Sequence, residues 1–591
     1  MRHSEWAPLQ DISALMLTPR GFPANISVPT VTGLGLGVTS PRIFILNSYE
    51  LADDVAFNTG AHSAKFGIII RNYRTFQNQD SRAGGQWRFR SLNNFLKGTV
   101  RNFDSPIVGA DGVRNFRQTI FGFYGQDSFN VLPRLNINLG LRWEFVTTPV
   151  EANGKSGAVR FVMDPEGTKG PLFDNPSLRN LAPRVGFAWD PFGNGTTSLR
   201  GGFGMFHDQL LTSYWRTPSV RQPPFFIRGK LDNPSFDNTW NEFISEQADK
   251  TLRNDLTSMQ YDLQTPYLLQ YNLNVQRQLS PTMVASIGYA GSRGVHFQRA
   301  AEANTAIPEI INGKKFFAAG LKARNPRWAD DRRSTFDAMS FYNALLLSFR
   351  KRFSSGMQFH GSYTWAKVVD EGSAVFAAAL AGEFNSIDPE DHKSNRGLSL
   401  LDVRHNLVFN STWEVPWGQN MTGAAGALVR GWQLGGIVTM QTGSPNTPVL
   451  AVNRSRNLAR RNLFEVPNLK PGASNNPVFD NWTVDKYYDA SAFEMQPVGY
   501  YGNLGRNTLI GPGVATFDFS LFKSTYVPAI SEQFRVEFRA EFFNLFNRAN
   551  FDNPSTDPVL LDDGTVNPAI GRIRGTTTDP RQIQFGMKLV W

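Results

Sequence analysis

Long stretches of this chain alternate apolar and polar residues one by one, and this period of two constrains the fold more than any other feature. The last stretch places five apolar residues on one side: Ile583, Phe585, Met587, Leu589 and Trp591. Its other side carries Gln582, Gln584, Gly586 and Lys588. Successive side chains of a β-strand point to opposite faces. The alternation therefore predicts strands with one apolar and one polar face.

The preceding stretch shows the same alternation with charged residues. One side carries four charges of alternating sign: Arg535, Glu537, Arg539 and Glu541. The other side carries Phe534, Val536, Phe538, Ala540 and Phe542. A helix would scatter these phenylalanines around its circumference. We therefore expect a strand whose four charges face a watery lumen.

The length of the alternating runs favours a membrane. The run over 134–145 is twelve residues long. Globular strands are usually about five or six residues long, whereas a tilted strand that crosses a bilayer needs roughly nine to eleven. Less regular runs of comparable length follow at 267–278, 345–353, 357–365, 407–415, 432–440 and 517–523.

The connections between these runs alternate between short and long. Tight turns at Pro133, Ser280-Pro281 and Ser354-Ser355 are each followed by a run and then a long loop, over 148–180, 292–341 and 368–402 respectively. The moderate connection 416–426 is followed in the same way by the long loop 442–514. Bacterial outer-membrane barrels have short periplasmic turns and longer extracellular loops. The pattern predicts an all-β transmembrane antiparallel up-and-down β-barrel, with Trp591 on the periplasmic side. A soluble propeller or sandwich is the alternative, but it would have no reason to sort its loops in this way.

The strand count suggests that the barrel is incomplete at its N-terminus. We count about seventeen strands within 41–591, preceded by an irregular segment over 1–40. Single-chain bacterial barrels have an even number of strands, and open edges expose unpaired backbone groups. The first thirty residues also lack the features of a signal peptide. We expect N-terminal strands to be missing from this sequence.

Composition is consistent with a membrane barrel and excludes several other classes. Charged residues make up 19% of the chain, below the roughly 25% of soluble domains, while aromatic residues make up 13%. No window of about 18 apolar residues exists, so no transmembrane helix is expected. The absence of cysteine excludes disulfides. The net charge of +10 is spread along strands, which argues against a nucleic-acid partner.

No motif in the sequence carries recognisable chemistry. The seven histidines form no metal-ligand spacing. His207-Asp208 is expected at a strand end on the barrel rim, and Glu390-Asp391-His392 in a solvated loop. No arrangement of nucleophile and base is evident. We therefore predict no metal, no cofactor and no enzymatic activity.

Several stretches resemble a known family in their order along the chain. Residues 539–551 (RAEFFNLFNRANF) resemble the penultimate strand of TonB-dependent receptors of the Oar-like group. Further matches to the same barrels lie at 125–129 (GQDSF), 139–144 (LGLRWE), 182–193 (APRVGFAWDPFG), 271–279, 288–294 (GYAGSRG) and 362–367 (SYTWAK). Together they extend over most of the chain from about residue 40.

The resemblance implies a function as well as a fold. Such receptors are 22-stranded outer-membrane barrels with an internal plug, and TonB drives uptake of a large or scarce substrate through them. The resemblance also implies a C-terminal signature for the barrel-assembly machinery, here Phe585, Met587, Leu589 and Trp591. Outer-membrane lipid is the expected surrounding partner.

The sequence also departs from the family pattern. We find no plug, no TonB box and no N-terminal β domain in it, and about five barrel strands are unaccounted for. TonB contact is therefore expected only through a missing N-terminal region. Two alternatives to uptake remain open at this point. They are a structural or adhesion protein anchored by its barrel, and a passive pore.

Overall fold

The computed structural model describes residues 17, 21–29, 31–40, 42–373, 386–459 and 464–591. Fifteen long strands dominate it. They are β1 (Arg42–Thr59), β2 (His62–Gln79), β3 (Val113–Leu132), β4 (Leu135–Val146), β5 (Leu181–Trp189), β6 (Thr197–His207), β7 (Tyr267–Ser280), β8 (Met283–Glu302), β9 (Trp328–Ser354), β10 (Met357–Asp370), β11 (His405–Glu414), β12 (Trp432–Gln441), β13 (Val514–Tyr526), β14 (Arg535–Phe543) and β15 (Gln582–Val590).

Each long strand pairs antiparallel with the next one in the chain, from β1 to β15. The predicted all-β, antiparallel up-and-down architecture is confirmed. The count of long strands is fifteen, where the sequence predicts about seventeen, and every other strand in the described residues is two to seven residues long. Across the described ranges, no ladder joins β1 to β15, so these two strands are the edges of the sheet.

The predicted placement of short connections at one end of the sheet and long connections at the other is also confirmed. One end of the sheet carries the short connections 60–61, 133–134, 190–196, 281–282, 355–356, 415–431 and 527–534. The other end carries the long connections 80–112, 147–180, 208–266, 303–327, 371–404, 442–513 and 544–581. The Ala-rich part of the loop at 374–385 lies outside the described residues.

Strand register keeps each face of the sheet uniform in polarity. Across four neighbouring strands, one row on the apolar face consists of Leu139, Val185, Phe203 and Tyr271, and the adjacent row on the polar face consists of Asn138, Gly186, Gly202 and Asn272. The apolar row is uncovered, with Leu139 52% and Phe203 41% exposed. A one-residue slip would invert both faces, so these registers fix one oily side and one polar side.

Five tryptophans lie on the apolar face near the two ends of the strands. Trp143 and Trp365 lie toward the long loops, and Trp189, Trp413 and Trp432 lie beside the short turns. Trp365 pairs with His405 and Trp413 pairs with Met357, a separation of about 27 Å along the strand. Aromatic rings at both boundaries of an apolar band are typical of outer-membrane barrels.

The helices are short and lie in the connections. They are α1 (Leu92–Leu96), α2 (Thr212–Val220), α3 (Thr239–Ala248) and α4 (Gly423–Val429), with 3₁₀ turns at Ser177–Arg179, His392–Asn395 and Ala490–Ala492. Among the residues that the structure describes, no helix is long and apolar enough to cross a membrane.

Helix α2 shows which way the sheet curls. Trp215 packs against Phe116 of β3, with ring centroids 4.9 Å apart, and Tyr214 packs against Phe336 of β9 at 5.5 Å. In a flat sheet β3 and β9 would be roughly 29 Å apart, six strands at about 4.8 Å each. Gln118, on the same face of β3 as Phe116, donates to the carbonyl of Leu210 at 2.9 Å. The sheet therefore curls with its polar face inside.

Two packed modules form from the long loops. The first cap comprises 21–40, 80–112 and 208–266, and contains the short strands Asn25–Ser27, Leu34–Gly35, Gln86–Arg88, Asn102–Pro106, Arg228–Asp232 and Arg253–Met259. The second cap comprises the described residues of 386–404, 442–513 and 544–581. Its buried apolar core includes Tyr487, Tyr488 and Phe493. Its short strands are Gly397–Leu398, Pro445–Asn446, Asn468–Leu469, Val478–Thr483, Lys486–Tyr488, Phe493–Glu494 and Leu509–Ile510.

The remaining short strands are Val150–Glu151, Gly157–Ala158, Thr168–Lys169, Glu309–Ile311 and Lys314–Phe316. The residues described within the predicted irregular segment 1–40 contribute two of the first cap's strands, Asn25–Ser27 and Leu34–Gly35. The division of the chain at residue 40 stays a prediction.

Candidate functional site

A small mixed sheet in the first cap holds the candidate site. Gln86–Arg88 pairs with Asn102–Pro106, which pairs with Arg228–Asp232, and this strand pairs with Arg253–Met259. The last strand runs parallel to the start of β9, with Asp255 opposite Asp330 and Thr257 opposite Arg332. We call this ladder the cap sheet. It joins the first cap directly to the barrel wall.

One face of the cap sheet is apolar and fully covered. Trp87, Phe103 and Leu231 are adjacent in register and buried. The ring of Phe103 packs edge-on against Phe243 of α3, with centroids 5.4 Å apart. Burial of such side chains contributes about 1.5–3 kcal/mol each. This face holds α3 in place and leaves the opposite face free for other contacts.

Gly229 allows α3 to approach the sheet closely. A Cβ atom at this position would lie 2.2 Å from Cδ2 of Leu252 and 2.9 Å from Cε2 of Phe243. These distances are shorter than any van der Waals contact between carbon atoms. A larger residue would therefore separate the helix and the sheet.

The opposite face of the cap sheet is charged and centred on Asp104. This carboxylate is 1% exposed and receives Arg88 Nη1 at 2.7 Å and Arg82 Nη1 at 2.9 Å. Arg228 lies 3.8 Å from Asp104 and bonds Asp255 at 2.9 Å. A buried carboxylate needs such partners, because an unpaired charge there would be costly.

A cavity of about 560 Å³ opens on this charged face. Its lining contains five basic side chains, three carboxylates and two amides: Arg88, Arg90, Arg101, Lys230, Arg332, Asp104, Asp232, Asp255, Asn102 and Asn233. The three carboxylates are already engaged, since Asp232 also pairs with Arg253 at 2.7 Å. Its volume lies within the usual range for small-molecule sites, roughly 300–1,000 Å³.

The cavity is continuous with the interior face of the barrel. Residues two apart on a strand share a face, so Arg332 lies on the side of β9 that also carries Phe336. Phe336 packs under α2, on the concave side of the sheet. A molecule in the cavity therefore lies at the upper end of the lumen wall.

The first cap is anchored across the mouth of the barrel. Gln77 of β2 donates to Ser219 Oγ at 2.6 Å, and Arg114 of β3 donates to the Ser219 carbonyl at 3.2 Å. Both side chains are almost fully buried. With the contacts of Tyr214 and Trp215 described above, α2 is held against both sides of the interior. The loop 208–266 thus folds inward instead of projecting into solvent.

The structure places the sequence-predicted residues on the two strands nearest the C-terminus. Arg535 Nε lies 2.7 Å from Glu537 Oε1, and Arg539 Nη1 lies 3.7 Å from Glu541 Oε1, all on one face of β14. Phe585, Met587 and Leu589 share the apolar face of β15, and Trp591 follows its end. None of these residues lines the cavity. Their assignments to the lumen and to barrel assembly stay predictions.

The two histidine motifs occupy the rim and a loop. His207 ends β6, and the next residue, Asp208, accepts a hydrogen bond from the Tyr214 hydroxyl. Burial raises the pKa of the Asp208 carboxyl. His392 Nδ1 lies 2.7 Å from Glu371 Oε2. Within the described ranges, no group of three or more His, Cys, Asp or Glu side chains is arranged to hold a metal.

Sequence reasoning missed every residue of the cavity, although a signal is present. Residues 86–90 (QWRFR) alternate polar and apolar side chains, as do 102–104 (NFD) and 230–232 (KLD). These runs are too short to cross a membrane, and they fall within a long loop. Applied to short runs, the same period of two predicts a two-faced sheet in the loops.

Comparison with protein families gives one match that extends over nearly the whole chain. A family described as an outer membrane beta barrel domain matches residues 11–584. A search of curated proteins found no match.

Solved structures give only remote likenesses. The outer membrane transporter YddB from Escherichia coli is 10% identical, with a TM-score of 0.48, over 95% of this chain and 57% of that one. The ferric citrate transporter FecA is 10% identical, with a TM-score of 0.43, over 94% and 56%. The ferripyoverdine receptor of the outer membrane of Pseudomonas aeruginosa is 12% identical, with a TM-score of 0.43, over 92% and 48%. The chain spans about half the length of these proteins.

Proposed function

Because the chain belongs to the outer membrane β-barrel family, we propose that it forms the barrel of a TonB-dependent transporter that takes up a large or scarce substrate. Its predicted location in the bacterial outer membrane is confirmed by the family. The Oar-like label and the coupling to TonB rest on the motif resemblance. They are part of the proposal.

The inward-folded first cap is the observation that carries this proposal. A passive pore needs an open mouth, but α2 packs against β3 on one side and β9 on the other. Its anchors on Gln77 and Arg114 are buried side chains. Passage through such a mouth requires the cap to move. That requirement favours an energised, gated transporter over a free-running channel.

The charged cavity supports the same function. It lies where an incoming solute first meets the interior wall, at the junction of the cap sheet with β9. A receptor needs a built site at this position before transport begins. An anchor for adhesion has no use for a polar site that faces the interior.

Deletion in the source bacterium tests the coupling to TonB. One strain lacks the gene for this protein, a second lacks TonB, and a third lacks both. The expected result is that all three leave the same solute unconsumed in the medium, and that a protonophore has the same effect on the parent strain. Consumption that depends on this gene but not on TonB or the protonophore would indicate a pore. If no solute differs and cell attachment is lost, the protein is an anchor.

A further inference from the structure

The cationic surplus of the cavity identifies the chemical class of its ligand. From its arrangement of charges, we infer that the cavity binds a multivalent anion bearing phosphate or carboxylate groups, with Arg90 and Arg101 as the primary contacts. This inference names the substrate class of the proposed transporter. Only its relevance to uptake rests on that proposal, because binding itself does not require TonB.

The three carboxylates that line the cavity are neutralised by basic side chains of the protein itself. Asp104 is shared by Arg82 and Arg88, Asp255 pairs with Arg228, and Asp232 pairs with Arg253. A carboxylate with bound guanidinium groups has little left to attract a cation. The site therefore does not favour a cationic ligand.

Two basic side chains of the cavity lining have no carboxylate partner among the described residues. The side chains of Arg90 and Arg101 are exposed and line the cavity. No hydrogen bond or ion pair involves either guanidinium among the residues that the structure describes, and neither is required to hold the fold. Lys230, which also lines the cavity, is paired with Asp330 at 3.8 Å and is not part of this surplus. Arginine binds phosphate and carboxylate oxygens in a two-pronged geometry.

The two arginines flank the same pair of strands in the cap sheet. Arg88 is opposite Asn102 in the cap sheet, and the Arg101 amide donates to the Arg88 carbonyl at 2.8 Å. Arg90 lies two residues after the end of the first strand, and Arg101 lies one residue before the start of the second. The amide of Asn233, another residue of the lining, donates to the Arg101 carbonyl at 3.0 Å. The positive charges are thus presented on ordered backbone.

The interior position of the cavity restricts the source of the anion. Its wall continues along the face of β9 that carries Phe336, which lies beneath α2. Lipid headgroups surround the outside of a barrel, where the apolar face lies. A solute that enters from outside the cell is therefore the expected ligand.

Isothermal titration calorimetry on the full chain in detergent tests the inference. Tripolyphosphate and citrate are the two anionic probes, and maltotriose is the neutral probe of similar size. We expect at least one anion to bind, with an affinity that falls as salt rises, and maltotriose not to bind. The anion with the higher affinity identifies the preferred group. Binding of neither anion, or binding of maltotriose with equal affinity, would overturn the inference.

Variants assign the binding to the cavity. Arg90→Gln with Arg101→Gln is expected to weaken anion binding by at least about tenfold, since two charge-assisted contacts are lost. Arg90→Lys with Arg101→Lys is expected to retain part of it. The matched control, Arg179→Gln with Arg327→Gln, removes two exposed arginines of other long connections, outside the cavity, and should bind as the parent does.

Each outcome of the variant series is decisive. Equal affinity of the Gln pair and the parent, or equal loss in the control pair, would show that the anion binds elsewhere and would overturn the assignment. Heat-modifiable migration and protease resistance of every variant verify that the cap and the wall are folded. Anion binding without TonB-dependent uptake would leave this inference standing and contradict only the proposed transport function.

Discussion

The barrel wall and the first cap use the same residue types in opposite ways. On the wall, large apolar side chains point away from the protein, and Phe585 and Met587 are 67% and 74% exposed. In the cap, Trp87 and Trp215 are 1% and 0% exposed. The difference follows from the surroundings, because acyl chains cover the wall whereas water surrounds the cap. An exposed phenylalanine would therefore destabilise the cap, whereas on the wall it contacts lipid and stabilises the barrel.

The charged residues of the two regions also lie on opposite sides of their sheets relative to the apolar residues. In the wall they line the concave side, as Arg142 and Glu144 do at 2.9 Å from each other. In the cap they meet on the face of the cap sheet that is turned away from its apolar core. The two regions join along β9, which runs through both over 27 residues. A single strand can therefore have its apolar residues turned outward to lipid in one part and inward to a protein core in another.

The largest expected effect is the loss of the cap's core. Trp215→Ala removes a fully buried ring, and such changes cost about 3–5 kcal/mol. We expect the cap to become sensitive to protease between residues 208 and 266 while the barrel keeps its heat-modifiable migration. Trp417→Ala is the control, since Trp417 is 64% exposed in a connection between strands. Unfolding of the whole barrel by Trp215→Ala would contradict the separation of the two regions.

A charge on the outer wall tests the other half of the comparison. Leu273 lies at the centre of β7 on the apolar face and is 47% exposed. Leu273→Arg should destabilise the barrel by about 2–4 kcal/mol, the cost of arginine at the bilayer midplane. Asn272→Arg, one residue away on the interior face, should cost much less. Urea unfolding in lipid vesicles measures both variants, and equal losses would count against the membrane position of Leu273.

Acidity is expected to affect the second cap and not the wall. Burial raises the pKa of Glu465 to about 7, although Ser455 and Gln496 donate hydrogen bonds to it. The folded state then holds a proton that the unfolded state releases above its ordinary pKa of 4.5. The stability of this cap should therefore fall as pH rises from about 4.5 to 7, by on the order of 2–3 kcal/mol, and stay level above that.

Hydrogen exchange of residues 442–513 at pH 5 and pH 8 measures this effect. Protection should be greater at pH 5, and Glu465→Gln should remove the difference because its side chain carries no charge at either pH. Exchange on β7 serves as the internal control. Greater protection at pH 8 than at pH 5 in the parent protein would contradict a raised pKa for the buried Glu465 carboxyl.

The smallest expected effect concerns the boundary between the two regions. Trp365 lies on the apolar face of β10, toward the long loops, and is 53% exposed. If it lies in the interfacial belt, Trp365→Ala should cost about 1 kcal/mol, and Trp365→Phe should cost less. The fluorescence that the parent has and Trp365→Phe lacks should be quenched more strongly by bromine near the lipid headgroup than by bromine at the chain end. Maximal quenching from the chain end would place Trp365 at the wrong depth.

The wall was predictable from sequence because its two faces meet two different solvents. Alternation over 582–591 and 534–542 coincides with β15 and β14 to within one residue. The prediction fails where a strand leaves the membrane. β9 was expected over 345–353 but begins at Trp328, because Asp330, Asp331, Arg332 and Arg333 place charges on both faces. Protein covers both sides of the strand there, and the period of two disappears.

The candidate site was not predictable in the same way. Its residues come from connections that are far apart in sequence, as Arg88, Lys230 and Arg332 show. Short alternating runs reveal that each strand has two faces, but they do not reveal which strands pair. The parallel pairing of Arg253–Met259 with β9 and the inward path of α2 depend on tertiary packing. Neither leaves a signal in the local pattern.

Spin-label accessibility along β7 tests the central claim most directly. The chain contains no cysteine, so single cysteines at 271–276 can each carry one nitroxide in lipid nanodiscs. We predict that oxygen reaches the labels at Tyr271, Leu273 and Val275, while a water-soluble nickel complex reaches those at Asn272, Asn274 and Gln276. The opposite assignment, or the same accessibility at all six positions, would contradict an apolar face turned toward lipid.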